Sequence, residues 1–244
     1  MRLADLSLKE ILDLSPYDYS DKILTPEEIN HLFVVCDALW MYDYEAAKNG
    51  KVGYHALLKS GLHSNGFLSA PKVLEHPSLR KILAYSLANT YDQLYPIPDR
   101  VVGIPNAATE LGNDIADIWD IKKGGLVKDE NGKMVVNGIR NGESLLLVED
   151  ICTKATGYIE AYSLIKEKLP SCFIVPIELV IWNRGILERI ESPFWDEIIR
   201  IKSLVSKRIS EMDPNNCLLC KTGSIAIKPK ATEENWALIK NAQK

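Results

Sequence analysis

Two acids stand side by side at Glu149-Asp150, directly after the apolar run Leu145-Leu146-Leu147-Val148 and directly before Ile151-Cys152-Thr153-Lys154-Ala155-Thr156-Gly157. Neighbouring carboxylates are acceptors, and the cis hydroxyls of a sugar are donors that suit them. Hydroxyls and backbone N–H groups where a loop turns into a helix suit a phosphate. The first N–H groups of a helix lack intrahelical partners, and the helix dipole favours an anion there. An acid pair followed by a hydroxyl-bearing loop therefore fits a sugar phosphate. The same residues also fit a solvated strand end with a capping Thr, and spacing alone leaves the two readings open.

Such a site needs a rigid strand behind it and a helix in front. The run Leu145 to Val148, entered at Ser144, predicts a central parallel strand buried on both faces. In open α/β sheets, ligands bind outside the carboxyl ends of such strands. A strand is expected from Arg100 to Ile104, a helix from Ala107 to Trp119, a helix from Thr156 to Leu169 and a strand from Cys172 to Ile181. That alternation predicts an α/β fold, a parallel sheet flanked by helices. Leu126 to Val136 reads as a hairpin turning at Asn131-Gly132; being polar and Lys-bearing, it should have little apolar surface with which to pack on its own subunit. Upstream, Thr25-Pro26-Glu27-Glu28 has the pattern of a helix start. Apolar residues at helical spacing then extend that helix to about Lys48. An extended stretch leads to Leu58, and a further helix is expected from Ser78 to Leu94. The chain is thereby divided into an N-terminal helical extension (1–50), the α/β domain (51–212) and a Cys-containing tail (213–244).

Composition narrows the class. The 244 residues are 46% hydrophobic and 25% charged with a net charge of -4, which speaks against a nucleic-acid or membrane partner. No apolar run approaches the roughly 20 residues of a membrane span. The first residues carry acids and no apolar signal core, so export is not expected. Five cysteines without disulfide-framework spacing fit a reducing cytoplasm.

The Leu145–Gly157 segment resembles the PRPP-binding signature of type I phosphoribosyltransferases. Other segments extend the likeness, in family order, over about 57–185. Leu58-Lys59-Ser60-Gly61-Leu62-His63-Ser64 is similar to the Lys-Ser-Gly-x-x-Ser segment of the orotate-using branch. Lys128-Asp129-Glu130-Asn131-Gly132-Lys133-Met134-Val135 is similar to the mobile hood of one branch of these enzymes. Ile181-Trp182-Asn183-Arg184-Gly185 falls where the family has a strand ending in Asp-Arg. The resemblance implies the type I phosphoribosyltransferase fold with a mobile hood, and transfer of phosphoribosyl from PRPP to orotate. It also implies Mg²⁺ on the diphosphate and a homodimer whose hood serves the partner's site.

By the same resemblance, Glu149 and Asp150 hold the ribose hydroxyls, and Thr153, Lys154, Ala155, Thr156 and Gly157 wrap the 5′-phosphate. Lys59 and the loop Pro105, Asn106, Ala107 and Ala108 take the diphosphate, with Lys128 closing over it; Lys128 and Asp150 are the expected catalytic pair. Ser60, Gly61, His63, Phe67, Thr153 and Arg184 are the expected base-binding residues, Arg184 pairing its planar fork with the orotate carboxylate. The chain departs from the family at Lys154-Ala155 and at Pro105 to Ala108, where glycines are usual, and at Asn183, where Asp is usual. Another acceptor base, or a non-catalytic PRPP- or nucleotide-binding regulator of the same fold, stays open.

Cys217-Leu218-Leu219-Cys220 has the spacing of half a zinc site, and a tetrahedral site needs two more ligands from elsewhere. Zinc and a pair of packed thiols are both open. Cys152 is expected to pack rather than react. His31, His55 and His76 lack partners at ligand spacing and are expected to be structural or exposed, and Ile227-Lys228-Pro229-Lys230 reads as a solvated tail.

Overall fold

The computed structural model describes residues 2–91, 95–192 and 195–244. The chain divides into two compact units, Met1–Leu32 with Ala70–Lys207, and Phe33–Ser69 with Arg208–Lys244.

The first unit is built on a six-stranded sheet. Its order is Arg189–Ser192, Trp195–Ser206, Phe173–Asn183, Ser144–Cys152, Arg100–Gly103, Lys122–Lys123. Every neighbouring pair is parallel except the first. Leu145, Leu146, Leu147 and Val148 are all 0% exposed, as a strand covered on both faces requires. Each such side chain contributes roughly 1.5–3 kcal/mol of burial. The helix Thr109–Trp119 sits hard against the strand Arg100–Gly103 because both carry glycine at the contact. A Cβ on Gly112 would lie 2.5 Å from the Gly103 nitrogen, and one on Gly103 would strike the Ala108 carbonyl.

The expected α/β architecture is present, with several boundaries moved. The helix beginning at Pro26 has its capping box: Glu28 N donates to Thr25 Oγ1 (3.2 Å) and Thr25 N to the Glu28 carboxylate (2.9 Å). It stops at Val35 rather than near Lys48. Asp37 takes a left-handed φ of 52°, and Leu39–Met41 then pairs as a strand with Gly66–Leu68. The helix Pro77–Asn89 ends short of the expected Leu94, which lies outside the described residues. The hairpin forms, Leu126–Lys128 pairing with Met134–Val136. Its turn is closed by Asp129, whose carboxylate accepts from Asn131 N (2.9 Å) and Lys133 N (2.8 Å). Contrary to expectation, its base is anchored in its own chain: Leu126 and Met134 are buried in one apolar cluster with Val102 and Tyr158.

The second unit holds a four-stranded sheet ordered Glu211–Met212, His63–Ser64, Tyr54–Leu57, Ile225–Ile227. The last pair alone is parallel. Residues 213–244 supply that strand and the helices Leu218–Lys221 and Glu233–Asn241. Trp40, Tyr42, Ala56, Cys217, Leu219 and Trp236 share one core here. No helix among the described residues is long and apolar enough to cross a membrane.

Candidate active site

The central strand Ser144–Cys152 runs on through both acids before the chain turns. The helix Thr156–Lys168 then starts from Ala155, which adopts φ 54° and ψ 25° and offers no side-chain cap. The capping-Thr reading does not hold: Ala155, not a Thr, occupies the N-cap position, and no side chain caps the helix from there. The left-handed position would suit a glycine, and an L-residue costs about 1–2 kcal/mol there. Burial of the Ala155 methyl, 2% exposed within the core, offsets part of that. At Gly157 a Cβ would meet the Glu149 carboxylate, so a side chain there requires that carboxylate to move.

Three loops meet at the carboxyl ends of adjacent strands. Cys152 is in register with Asn183, and the Cys152 carbonyl accepts from Arg184 N (2.9 Å). Gly185 lies so close that a Cβ there would fall on the Thr153 carbonyl oxygen. On the other side, Ile104 N donates to the Val148 carbonyl (2.8 Å), which brings the Pro105–Ala108 loop alongside; its Pro105–Asn106 peptide is cis. The structure thus brings together the sequence-expected residues of 105–108, 149–157 and 184. Asn183, where the family has Asp, has a local reason. Its side chain donates to the Leu187 carbonyl (2.5 Å) and accepts from Leu187 N (3.1 Å), and a carboxylate could only accept.

The two acids face different surroundings. Glu149 turns inward to Glu178 and Cys152, with their carboxylate and thiol atoms all within 4.8 Å of one another. Glu178 is 0% exposed. Burial, then the neighbouring Glu178 charge, pushes the Glu149 carboxyl far above the usual glutamate range, and burial raises Glu178 as well. Two like charges in so dry a place are not both ionised, so the pair retains a proton at neutral pH. Burial and the two glutamates push the Cys152 thiol up too, leaving a neutral, packed sulfur. Asp150 is half-buried at the strand's end. Sequence reasoning missed Glu178; its signal was a lone acid inside the apolar strand Phe173–Asn183.

Lys128 is exposed at the end of the first hairpin strand of the first unit. The other expected residues belong to the second unit. Lys59, Ser60 and Gly61 are exposed at the tip joining Tyr54–Leu57 to His63–Ser64, where Gly61 takes φ 83°. Lys59 and Phe67 line one cavity of about 530 Å³ together with Lys228, Pro229 and Lys230. The Lys230 ammonium lies 5.6 Å from the Phe67 ring centroid. Ammonium groups around an aromatic face suit a planar anion. The run Lys228-Pro229-Lys230, expected to be a solvated tail, is thus part of a pocket wall. His63 is buried, and its ring faces His55 rather than solvent.

A mostly parallel sheet whose central strand carries an acid pair near its carboxyl end, with a loop and helix start beyond it, is an α/β ligand-binding arrangement of the kind that the resemblance to phosphoribosyltransferases implies. Comparison with known proteins bears this out. An orotate phosphoribosyltransferase of Wolinella succinogenes is 30% identical over 192 residues, spanning 72% of this chain and 88% of the relative. One from Caldicellulosiruptor bescii is 29% identical over 182 residues, 72% and 87% of the two chains. The chain belongs to the orotate phosphoribosyltransferase family. The crystal structure of orotate phosphoribosyltransferase from Aeropyrum pernix shares its fold, with a TM-score of 0.51 at 14% identity, over 73% of this chain and 93% of that one. No protein-family model matches the chain.

Proposed function

We propose that this protein transfers phosphoribosyl from PRPP to orotate, giving orotidine 5′-phosphate and diphosphate in pyrimidine nucleotide synthesis. The observation that carries the proposal is the meeting of loops 105–108, 153–157 and 183–185 at adjacent strand ends, with Asp150 among them. The uncapped start of the helix Thr156–Lys168 receives the 5′-phosphate on its N–H groups. Asp150 accepts from the ribose hydroxyls, and Glu149, protonated or shared with Glu178, braces the loop from beneath. Loop 105–108 takes the diphosphate. Arg184 pairs with the carboxylate of the anionic ring.

During transfer the bond from ribose C1 to diphosphate oxygen breaks as the bond from C1 to the base nitrogen forms, and the proton of that nitrogen passes to the departing diphosphate or to solvent. The protein's part is to hold both partners, exclude water and offset the charge leaving with the diphosphate. Lys128 on the hairpin closes over that charge. Mg²⁺ on the diphosphate would neutralise part of it, and the half-buried carboxylate of Asp150 is the hard oxygen donor that fits such a cation. We take the working form to be a homodimer in which the hairpin serves the partner's site, and the compartment to be a reducing cytoplasm, which the free cysteines suit.

The test is an acceptor screen in which PRPP and Mg²⁺ are mixed with each nucleobase and diphosphate release is followed. Release with orotate alone is the expected result. Release with a different base removes the acceptor assignment. PRPP binding without release for any base points to a regulator of the same fold.

A further inference from the structure

Away from the sugar-phosphate loops, four metal-binding side chains converge inside the second unit. His55 lies on the strand Tyr54–Leu57 and His63 on its antiparallel neighbour His63–Ser64. Cys217 immediately precedes the short helix Leu218–Lys221, and Cys220 lies within it. One ligand atom from each comes within 4.8 Å of all the others.

The individual spacings are those of a tetrahedron. His55 Nε2 is 2.9 Å from His63 Nδ1, and 3.5 Å from each of the Cys217 and Cys220 sulfurs. His63 Nδ1 is 3.3 Å from the Cys220 sulfur. Zinc bonds of about 2.0–2.1 Å to nitrogen and about 2.3 Å to sulfur require ligand separations of about 3.3 Å for N–N and about 3.6 Å for N–S. Each of these separations is within a few tenths of an ångström of that requirement.

The surroundings prepare the same atoms. His55 Nδ1 lies 3.0 Å from Ser224 Oγ, and Ser224 donates its own proton to the Gly53 carbonyl (3.2 Å). Ser224 therefore accepts from His55, which keeps the proton on Nδ1 and leaves the Nε2 lone pair aimed at the sulfurs. His55, His63 and Cys217 are buried, and Cys217 packs with Trp40, Leu219 and Trp236, so water is a poor competitor there. Cys220 is exposed and gives a metal its way in.

We propose that His55, His63, Cys217 and Cys220 form a structural zinc site. Two thiolates balance the charge of the ion, and four protein ligands close the coordination sphere, so the site holds structure and leaves no position for a substrate. The pairing joins segments more than 150 residues apart, binding the hairpin that carries Lys59, Ser60 and Gly61 at its tip to the C-terminal segment. The proposal does not depend on the enzyme's activity.

The experiment is elemental analysis of the full-length protein, purified without chelator and without a histidine tag, followed by Co²⁺ titration of the metal-stripped chain. About one zinc per chain is expected, with Co²⁺ giving the visible bands of a tetrahedral site and thiolate charge-transfer absorption. Exposed Cys220→Ala and buried His63→Ala should each lose most of the zinc; if the latter does not fold, the former and the wild-type Co²⁺ spectrum still decide. A metal-free wild type with no thiolate–Co²⁺ bands would mean a packed cluster of thiols and imidazoles and would overturn the proposal. So would zinc content unchanged by Cys220→Ala.

Discussion

Gly185→Ala tests the contact that seats the phosphate loop. Gly185 does not occupy a positive φ, so an alanine there meets no backbone penalty of its own. The new Cβ would instead fall on the Thr153 carbonyl oxygen, with the Thr153 carbonyl carbon at 2.9 Å and Cα at 3.3 Å. All three atoms are backbone, which cannot swing aside as a side chain does. Either the Arg184-Gly185 turn or the Thr153 loop must move by about an ångström, at a cost of about 1–3 kcal/mol for overpacking. For a chain of this size that corresponds to a Tm lower by roughly 2–4 °C per kcal/mol. A displacement of this order beside the reacting groups costs up to about a hundredfold in rate. Thermal melts and steady-state diphosphate release at varied PRPP should show a lowered Tm and a kcat/KM for PRPP down about 10- to 100-fold. A variant with wild-type Tm and wild-type kcat/KM would refute the packing argument and detach Gly185 from the loop.

On the proposed assignment, Asp150→Asn would remove a charge-assisted hydrogen bond to the ribose, worth about 1.5–3 kcal/mol, and should weaken PRPP roughly tenfold to a hundredfold by calorimetry; unchanged affinity would take Asp150 out of the site. Arg184→Ala should weaken orotate far more than PRPP, and an equal loss for both ligands would make its role structural. Burial alone would raise Glu143, but Arg100 (2.8 Å), Lys122 (2.8 Å) and the Arg140 backbone outweigh it and hold the carboxyl at about 2 instead of 4.5. Because the folded value is depressed, the stability it contributes, on the order of 3 kcal/mol, is present above pH 4.5 and lost as pH falls toward about 2. Glu143→Gln should therefore destabilise the protein at pH 7 by denaturant titration, with the difference narrowing as pH falls below 4.5; a gap independent of pH would contradict this. If hairpins serve partner sites, mixing inactive Lys128→Ala and Asp150→Asn chains should restore up to about a quarter of the wild-type sites under random pairing, and proven subunit exchange without recovery would mean each chain builds its own site.

The first unit was legible because its signals are local. Four fully buried apolar residues in a row, an acid pair and a hydroxyl loop mark a strand end whatever the remainder of the chain does. Where neighbours decide, the reading slipped. Leu39 and Trp40 keep helical spacing after the helix Pro26–Val35, yet the left-handed turn at Asp37 and pairing with Gly66–Leu68 make them a strand. Trp195–Ser206 carries four charged residues in a strand that pairs on both sides, so its periodicity hid it. Ala155 holds a conformation for which glycine was expected, because core packing can hold an alanine there. The site residues that escaped notice are those whose partners lie far along the chain. His55 stands eight positions from His63, which is not a usual ligand spacing, and its other neighbours Cys217 and Cys220 are more than 160 positions away. Lys228 and Lys230 read as tail because nothing nearby showed that they close a cavity with Lys59 and Phe67.

The central claim is chemical, and phosphorus NMR of one reaction mixture tests it most directly. Purified protein with PRPP, Mg²⁺ and orotate should convert the PRPP resonances into those of diphosphate and a single nucleoside monophosphate, with product formation depending on orotate and falling steeply in Asp150→Asn. PRPP that persists unchanged beside orotate and active-folded protein, or a monophosphate that forms equally well without orotate, would contradict the account.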